Sequence, residues 1–407
     1  MRRLIMFTAA YPYDRTNAWK GQELAFLRER FDAIYIAPLH QKVASVSPDL
    51  PEGVNVLPPA FPLNKARETK VQRVASIFGR RLTAHIRLME PTPNFRARRR
   101  YWASAADIEA IMRSATWRDH VAPLLSESTL YFFWGRGYAE VLAYLQPEVR
   151  ARSLVRLHRW DLYPEINQGY IPFQKRIVES AGIIAPVSQG GVDLLARLYP
   201  DHAARIQRLR LGTVLQGISQ PSTDGRFRIV SCAYARPVKR LDLIAEALAY
   251  IEFPIAWTHI GGGPELERVR STCARLPDTV EVRLLGNIVP QEVPNIYAAE
   301  PFDLFLNVSA SEGIPVSIME AMAAGIPALA TDVGGNAELV DGTVGRVVAA
   351  DVSPTALAQE IRNARATDPK HIMAMREACR QRIARDYNQT HNARAVADAL
   401  IGLDRLT

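Results

Sequence analysis

Eleven apolar, β-rich runs recur along the chain: "RLIMFTA", "AIYIAP", "STLYFFWG", "RSLVRLH" and "GIIAPVS", then "FRIVSCAY", "IAWTHIGGG", "EVRLLGN", "DLFLNVS", "PALAT" and "GRVVA". Helix-period stretches such as "RLDLIAEALAYI", "PELERVRSTCARL" and "PVSIMEAMAAG" stand between several of them. A strand that returns parallel to its neighbour needs a long crossover, usually helical, so this alternation predicts an α/β fold of doubly wound parallel sheets. At 407 residues the chain is too long for one core of ordinary size. The stretch weakest in regular structure is "GTVLQGISQPSTDGRF", rich in Gly, Ser, Pro and Asp, and the hinge is expected there. The division is then an N-terminal domain over 1–211, a C-terminal domain over 212–380, and a helical segment over 381–407 packing back toward the first.

The opening apolar run meets Tyr-Pro-Tyr-Asp where a signal peptide would continue, so it reads as a first strand. No stretch approaches the roughly 20 apolar residues needed to span a bilayer. Cys232, Cys273 and Cys379 have neither disulfide-framework nor zinc spacing, and a cytoplasmic location is expected. Net charge is +8, and its excess is local: between Lys65 and Trp102 stand eleven Lys/Arg against two Glu. Val71, Val74, Phe78, Leu82, Ile86 and Met89 recur at helical spacing there, predicting a basic amphipathic helix, followed by the cluster Arg96, Arg98, Arg99 and Arg100 in "FRARRRYW". Two readings fit, a solvated face or a surface facing an anionic membrane. No nucleic-acid module is recognisable, so nucleic acid is not an expected partner.

The stretch "SEGIPVSIMEAMAAGIPALATDVGG" carries two carboxylates, Glu312 and Glu320, around the start of a short helix. The backbone from Gly313 through Ile314, Pro315 and Val316 lies at the positive end of that helix and can hold an anion. A rise of ~1.5 Å per residue separates the two glutamates by up to ~12 Å. A retaining glycosidase needs its carboxyl groups about 5 to 5.5 Å apart, so that pairing is excluded. Carboxylates on either side of an anion site instead suit the two ends of one long ligand, such as a nucleotide sugar.

This Glu-x7-Glu pattern closely resembles the donor motif of the GT-B-fold, retaining glycosyltransferases of family 4. "SCAYARPVKRLDLIAEAL" resembles that family's strand-loop-helix for the donor diphosphate, and "HIGGGPELERV" its glycine turn at Gly262. "LLGNIVPQEVPNIYAAEPFDLFLNVSASEGIP", with Gly286 and Asn287, resembles its nucleoside-contacting run. "LIMFTAAYPYDRTNAWKGQELAFLRERFDAIYIAP" and "LVRLHRWDLYPE" resemble the subset that builds bacterial capsular polysaccharides, exopolysaccharides or lipopolysaccharide. The resemblance implies two Rossmann-like domains facing a central cleft, and no metal or other cofactor. It implies that Glu312 contacts the donor sugar, Glu320 the ribose and Lys239 the diphosphate, with His158 beside the reacting centre. Tyr234 stands where the family commonly has an Arg, leaving Arg236 and Arg240 as candidate partners of Lys239. Gly21 is all that remains of the N-terminal glycine loop. Asp161 either orients His158 or caps the turn that follows.

The implied function is glycosyl transfer with retention, from a UDP- or GDP-linked sugar to a glycan or lipid-linked acceptor in bacterial surface polysaccharide synthesis. The implied location is cytoplasmic or peripheral on the inner face of the membrane. The rivals are a phosphorylase or epimerase on the same fold, and a protein that binds nucleotide sugars without chemistry.

Overall fold

A computed structural model describes residues 1–14, 19–47, 50–63, 81–215 and 217–404. The chain divides into two compact units, Met1–Arg210 with Asn392–Thr407, and Leu211–His391. Val71, Val74 and Phe78 of the expected amphipathic helix lie outside the described residues.

The first unit holds six strands: β1 (Arg3–Thr8), β2 (Ala33–Pro38), β3 (Asn55–Val56), β4 (Ser128–Phe132), β5 (Ser153–Leu157) and β6 (Ile183–Pro186). They pair in the order β3-β2-β1-β4-β5-β6, all parallel. Every residue of β4 and β5 is buried, as expected where helices cover both faces of a sheet. One face packs Ile5, Phe7, Phe132 and Val155 against helical residues including Tyr101, Ile108 and Ile177. The other packs Leu4, Met6, Tyr131 and Leu154 against Val396, Ala397, Leu400 and Ile401, which the chain supplies only near its C-terminus.

The second unit repeats the plan with β7 (Phe227–Cys232), β8 (Ile255–Ile260), β9 (Val280–Leu284), β10 (Leu304–Asn307), β11 (Ala328–Thr331) and β12 (Gly345–Val348). Their order, β12-β11-β10-β7-β8-β9, is the first unit's order traced from the other edge. Both are Rossmann orders, in which the crossovers reverse direction between the first and fourth strands and ligands bind beyond the carboxyl ends there. That switch point falls between β1 and β4 in the first unit and between β7 and β10 in the second.

The basic segment differs from its expected form. Among the described residues the helices run from α1 (Trp19–Arg28) to α2 (Leu82–Leu88), and then "FRARRRYW" opens α3 (Phe95–Arg113), a 19-residue helix. Pro91 and Pro93 separate α2 from α3, and Asn94 caps α3 by accepting the Ala97 N–H at 2.9 Å. The periodic set Ala97, Tyr101, Ala105 and Ile108 is buried, so Arg96, Arg98 and Arg99 form the outer face of a core helix. In α2 the buried side chain is His85, while Ile86 and Met89 are exposed. No helix among the described residues is long and apolar enough to cross a membrane.

Candidate active site

In the second unit the loops after β7 and β10 meet at the switch point. Lys239 closes the short turn Pro237–Lys239, and its Nζ donates to Glu312 Oε1 at 2.6 Å. The same oxygen accepts from Ser309 Oγ at 2.6 Å and Asn307 Nδ2 at 3.2 Å. Glu312 is only 7% exposed, and its Oε1 is engaged by this cation and two neutral donors. Thr331 Oγ1, from the end of β11, donates to the Ser309 carbonyl at 2.6 Å and steadies the loop from behind.

α4 (Val316–Ala323) opens directly after Pro315, which serves as its cap. Ile314 and Pro315 are buried, so their contribution to a ligand is main chain. Glu320 is half-buried, and burial pushes its carboxyl up from 4.5 to about 7. Its charge acts on Cys232, which ends β7, and on Tyr297, placing it at the same switch point as Lys239. The Cys232 thiol is raised to about 12, by burial first and by Glu320 second.

The two candidate arginines part company. Arg240 turns inward, its Nε donating to the Val308 carbonyl at 2.7 Å and its Nη2 to that of Ser309 at 3.3 Å. Arg236 lies over the Tyr234 ring, 5.0 Å from its centroid, on the loop that carries Lys239.

Gly262, Gly286 and Asn287 are brought together. Gly262 N–H donates to Asn287 Oδ1 at 3.1 Å, tying the loop after β8 to the loop after β9. A Cβ on Gly262 would stand 2.6 Å from that oxygen, so a side chain there would push the Asn287 amide aside. The "VGG" turn belongs to the site as well. Gly334 has φ +55, and a Cβ there would meet the Glu312 carbonyl oxygen at 2.1 Å.

In the first unit His158 follows β5 and caps the single turn Arg159–Leu162. The residue is 8% exposed, and its ring lies 4.3 Å from Trp134 and 5.2 Å from Phe133 between centroids. Asp161 caps the turn: one carboxylate oxygen accepts the His158 main-chain N–H at 2.6 Å, the other the Gly135 N–H at 2.6 Å. It holds the His158 backbone in place, and burial raises its carboxyl to about 6 against those hydrogen bonds. Trp160 stands beside it, 55% exposed. Gly21, expected in a loop, lies in the first turn of α1, because the helix already begins at Trp19.

Of the arginine cluster, Arg96, Arg98 and Arg99 are exposed. Arg100 is not part of an outward face. It donates to the Asn167 carbonyl and, at 3.1 Å, to Asn167 Oδ1, while Asn167 Nδ2 donates to the Trp160 carbonyl at 2.7 Å. It therefore braces the loop after His158.

Asn307, Ser309, Thr331, Trp134 and Trp160 escape sequence reasoning. Their one sequence signal is position, at or just beyond the end of an apolar run. No group of three or more His, Cys, Asp or Glu that could hold a metal is gathered among the described residues.

Residues 218–382 match the family described as glycosyl transferases group 1. The chain is similar to the O-antigen biosynthesis glycosyltransferase WbnH of Escherichia coli, 38% identical over 104 residues, which are 26% of this chain and 28% of that relative. Its backbone is similar to HepE of Anabaena, solved in complex with UDP, at TM-score 0.64 and 15% identity over 99% of this chain and 100% of that one. It is also similar to sucrose-phosphate synthase from Thermosynechococcus elongatus, at TM-score 0.67 and 16% identity over all of both chains. At such identities the two structures speak for the fold. Residues 218–382 thus resemble the glycosyl transferases group 1 family, and the chain has a fold of two Rossmann-like domains of the GT-B type.

Proposed function

We propose that this protein is a retaining, metal-independent glycosyltransferase that moves a sugar from a nucleotide-sugar donor to a glycan or lipid-linked acceptor in bacterial surface polysaccharide synthesis. The observation that carries the reading is the cluster of Lys239 on Glu312, with Glu320 beside the end of β7, at the switch point of the unit that matches the family. The name of WbnH refers to O-antigen synthesis, and HepE was solved with UDP; both agree with this donor and this setting.

In this reading Glu320 takes the ribose hydroxyls and Glu312 the donor sugar. Lys239, Arg236 and the amino end of α4 meet the charge developing on the leaving diphosphate, the work a metal ion does in other transferases. Arg240, engaged with main-chain carbonyls, shapes the loop. The acceptor oxygen attacks from the face the diphosphate leaves, and the departing phosphate takes its proton. His158, steadied by Trp134 and by Asp161, is assigned to the reacting sugar. Arg96, Arg98 and Arg99, with the exposed Phe95, Ile86 and Met89, support docking on an anionic cytoplasmic membrane face.

The test is product analysis with nucleotide sugars and an acceptor, following the anomeric configuration by NMR, with and without EDTA and with and without inorganic phosphate. Retained configuration in EDTA without phosphate is expected. Inversion, or loss of activity in EDTA that magnesium or manganese restores, overturns the mechanism, and a need for inorganic phosphate marks a phosphorylase instead.

A further inference from the structure

The first unit contains an open cavity of about 400 Å³ that the donor and acceptor assignments do not use. Its walls come from α2 and from the turn ahead of β5. Three guanidinium groups line it, those of Arg81, Arg87 and Arg150, with Gln146 and no carboxylate among the lining residues. Leu88 and Leu145 supply an apolar wall. The volume falls within the range of small-molecule sites, ~300 to 1,000 Å³.

Two of the guanidiniums are held in place before any ligand arrives. Arg81 Nη1 donates to Glu109 Oε2 at 3.1 Å, and Glu109 is itself fixed by His85 Nε2 at 3.1 Å. The other ring nitrogen of His85 is 2.5 Å from the Tyr144 hydroxyl, and Tyr144 also lines the cavity. Arg150 Nη1 donates to Ser180 Oγ at 3.4 Å. Preorganised donors lose less freedom on binding, and guanidinium forks match phosphate oxygens geometrically. The residues from Gln146 to Arg150 precede β5, whereas His158 follows it. Five residues of strand at ~3.3 Å each separate these two ends by roughly 16 Å, so the cavity is not part of the His158 site.

We propose that this cavity is a second anion site, binding a phosphoryl group that carries an apolar neighbour. A phosphorylated metabolite and the phosphate of a lipid carrier share that chemistry. The proposal does not depend on the donor assignments above.

Equilibrium binding tests it with inorganic pyrophosphate and hexyl phosphate as probes, on the full chain carrying Lys239→Ala and Arg236→Gln so that the second unit's phosphate contacts are silenced. Saturable binding of at least one probe is expected, falling about tenfold or more when Arg87→Gln and Arg150→Gln are added. Both side chains reach solvent, and an unchanged melting temperature checks that the added changes leave the fold intact. Equal affinity for the two probes assigns the site to free phosphates, and tighter binding of hexyl phosphate assigns it to a lipid-borne one. Absence of saturable binding, or binding indifferent to the two arginine changes, overturns the proposal. In an otherwise wild-type chain Arg87→Gln with Arg150→Gln should leave nucleotide-sugar affinity unchanged, so failure here is separable from failure of the donor assignment.

Discussion

Nucleotide-sugar binding should weaken by about tenfold between about pH 8 and about pH 6, through Glu320. Burial raises its carboxyl from 4.5 to about 7, so the unliganded protein loses that proton only near neutrality. In the proposed assignment the ribose hydroxyls donate to the ionised carboxylate, and if that form alone binds, apparent affinity falls in proportion to its population. One pH unit above its pKa the population is nearly complete; one unit below, about a tenth remains. The free protein moves oppositely. A raised carboxyl pKa means the folded state holds its proton longer, so stability is greatest at acid pH and is lost as pH climbs from 4.5 to about 7. That loss is at most about 3 kcal/mol, since a tenfold difference in proton affinity between folded and unfolded chains is worth ~1.4 kcal/mol. Calorimetric titration with a nucleotide sugar is the assay, because both of its phosphates are esterified and neither titrates in this window. Glu320→Gln should flatten both trends, and Glu320→Ala should weaken binding by about 1.5 to 3 kcal/mol. An identical pH slope in wild type and Glu320→Gln, or tighter wild-type binding at acid pH, would refute the reasoning.

Removing Lys239 should act twice: Lys239→Ala should depress turnover and also lower the melting temperature, because Glu312 is left buried with only Ser309 and Asn307 as donors. A variant that melts like wild type would show that the ion pair adds nothing to the fold. Gly334→Ala should cost stability and donor binding together, since its Cβ would collide with the Glu312 carbonyl at a left-handed φ; unchanged binding would free the "VGG" turn from the site. Neutralising Arg96, Arg98 and Arg99 should remove up to ~3 kcal/mol of attraction to anionic liposomes, at ~1 kcal/mol per side chain, and the effect should fade in salt. Sedimentation with the liposomes indistinguishable from wild type would make this face an ordinary solvated one. Arg100→Gln should instead loosen the loop holding Trp160 and Asn167, read as faster proteolysis there with liposome binding kept.

The parallel sheets were legible because a strand buried on both faces needs a continuous apolar run, and eleven such runs stand out. β3 was missed for the same reason: two residues pairing with β2 leave no run to see. The helix α3 was obscured by its own arginines, although Ala97, Tyr101, Ala105 and Ile108 carry the buried period beneath them. Glu312 and Glu320 could be found because their meaning lies in spacing along one segment. Asn307, Ser309 and Thr331 could not, since their roles arise from contacts between strand ends that only folding brings together. Local spacing was equally unable to choose between Arg236 and Arg240. That choice turns on where Val308 and Ser309 present their carbonyls.

The first unit's core has a consequence for how the chain is made. Val396, Ala397, Leu400 and Ile401 complete one face of a sheet whose first strand is Arg3–Thr8, and the whole second unit is translated between them. On the ribosome the second unit, continuous from Leu211 to His391, can close while the first still exposes Leu4, Met6, Tyr131 and Leu154. Each large aliphatic side chain so awaited is worth ~1.5–3 kcal/mol of burial. A nascent chain stalled before Val396 therefore presents a sticky, unfinished sheet to chaperones and proteases, which the arrival of Val396, Ala397, Leu400 and Ile401 hides.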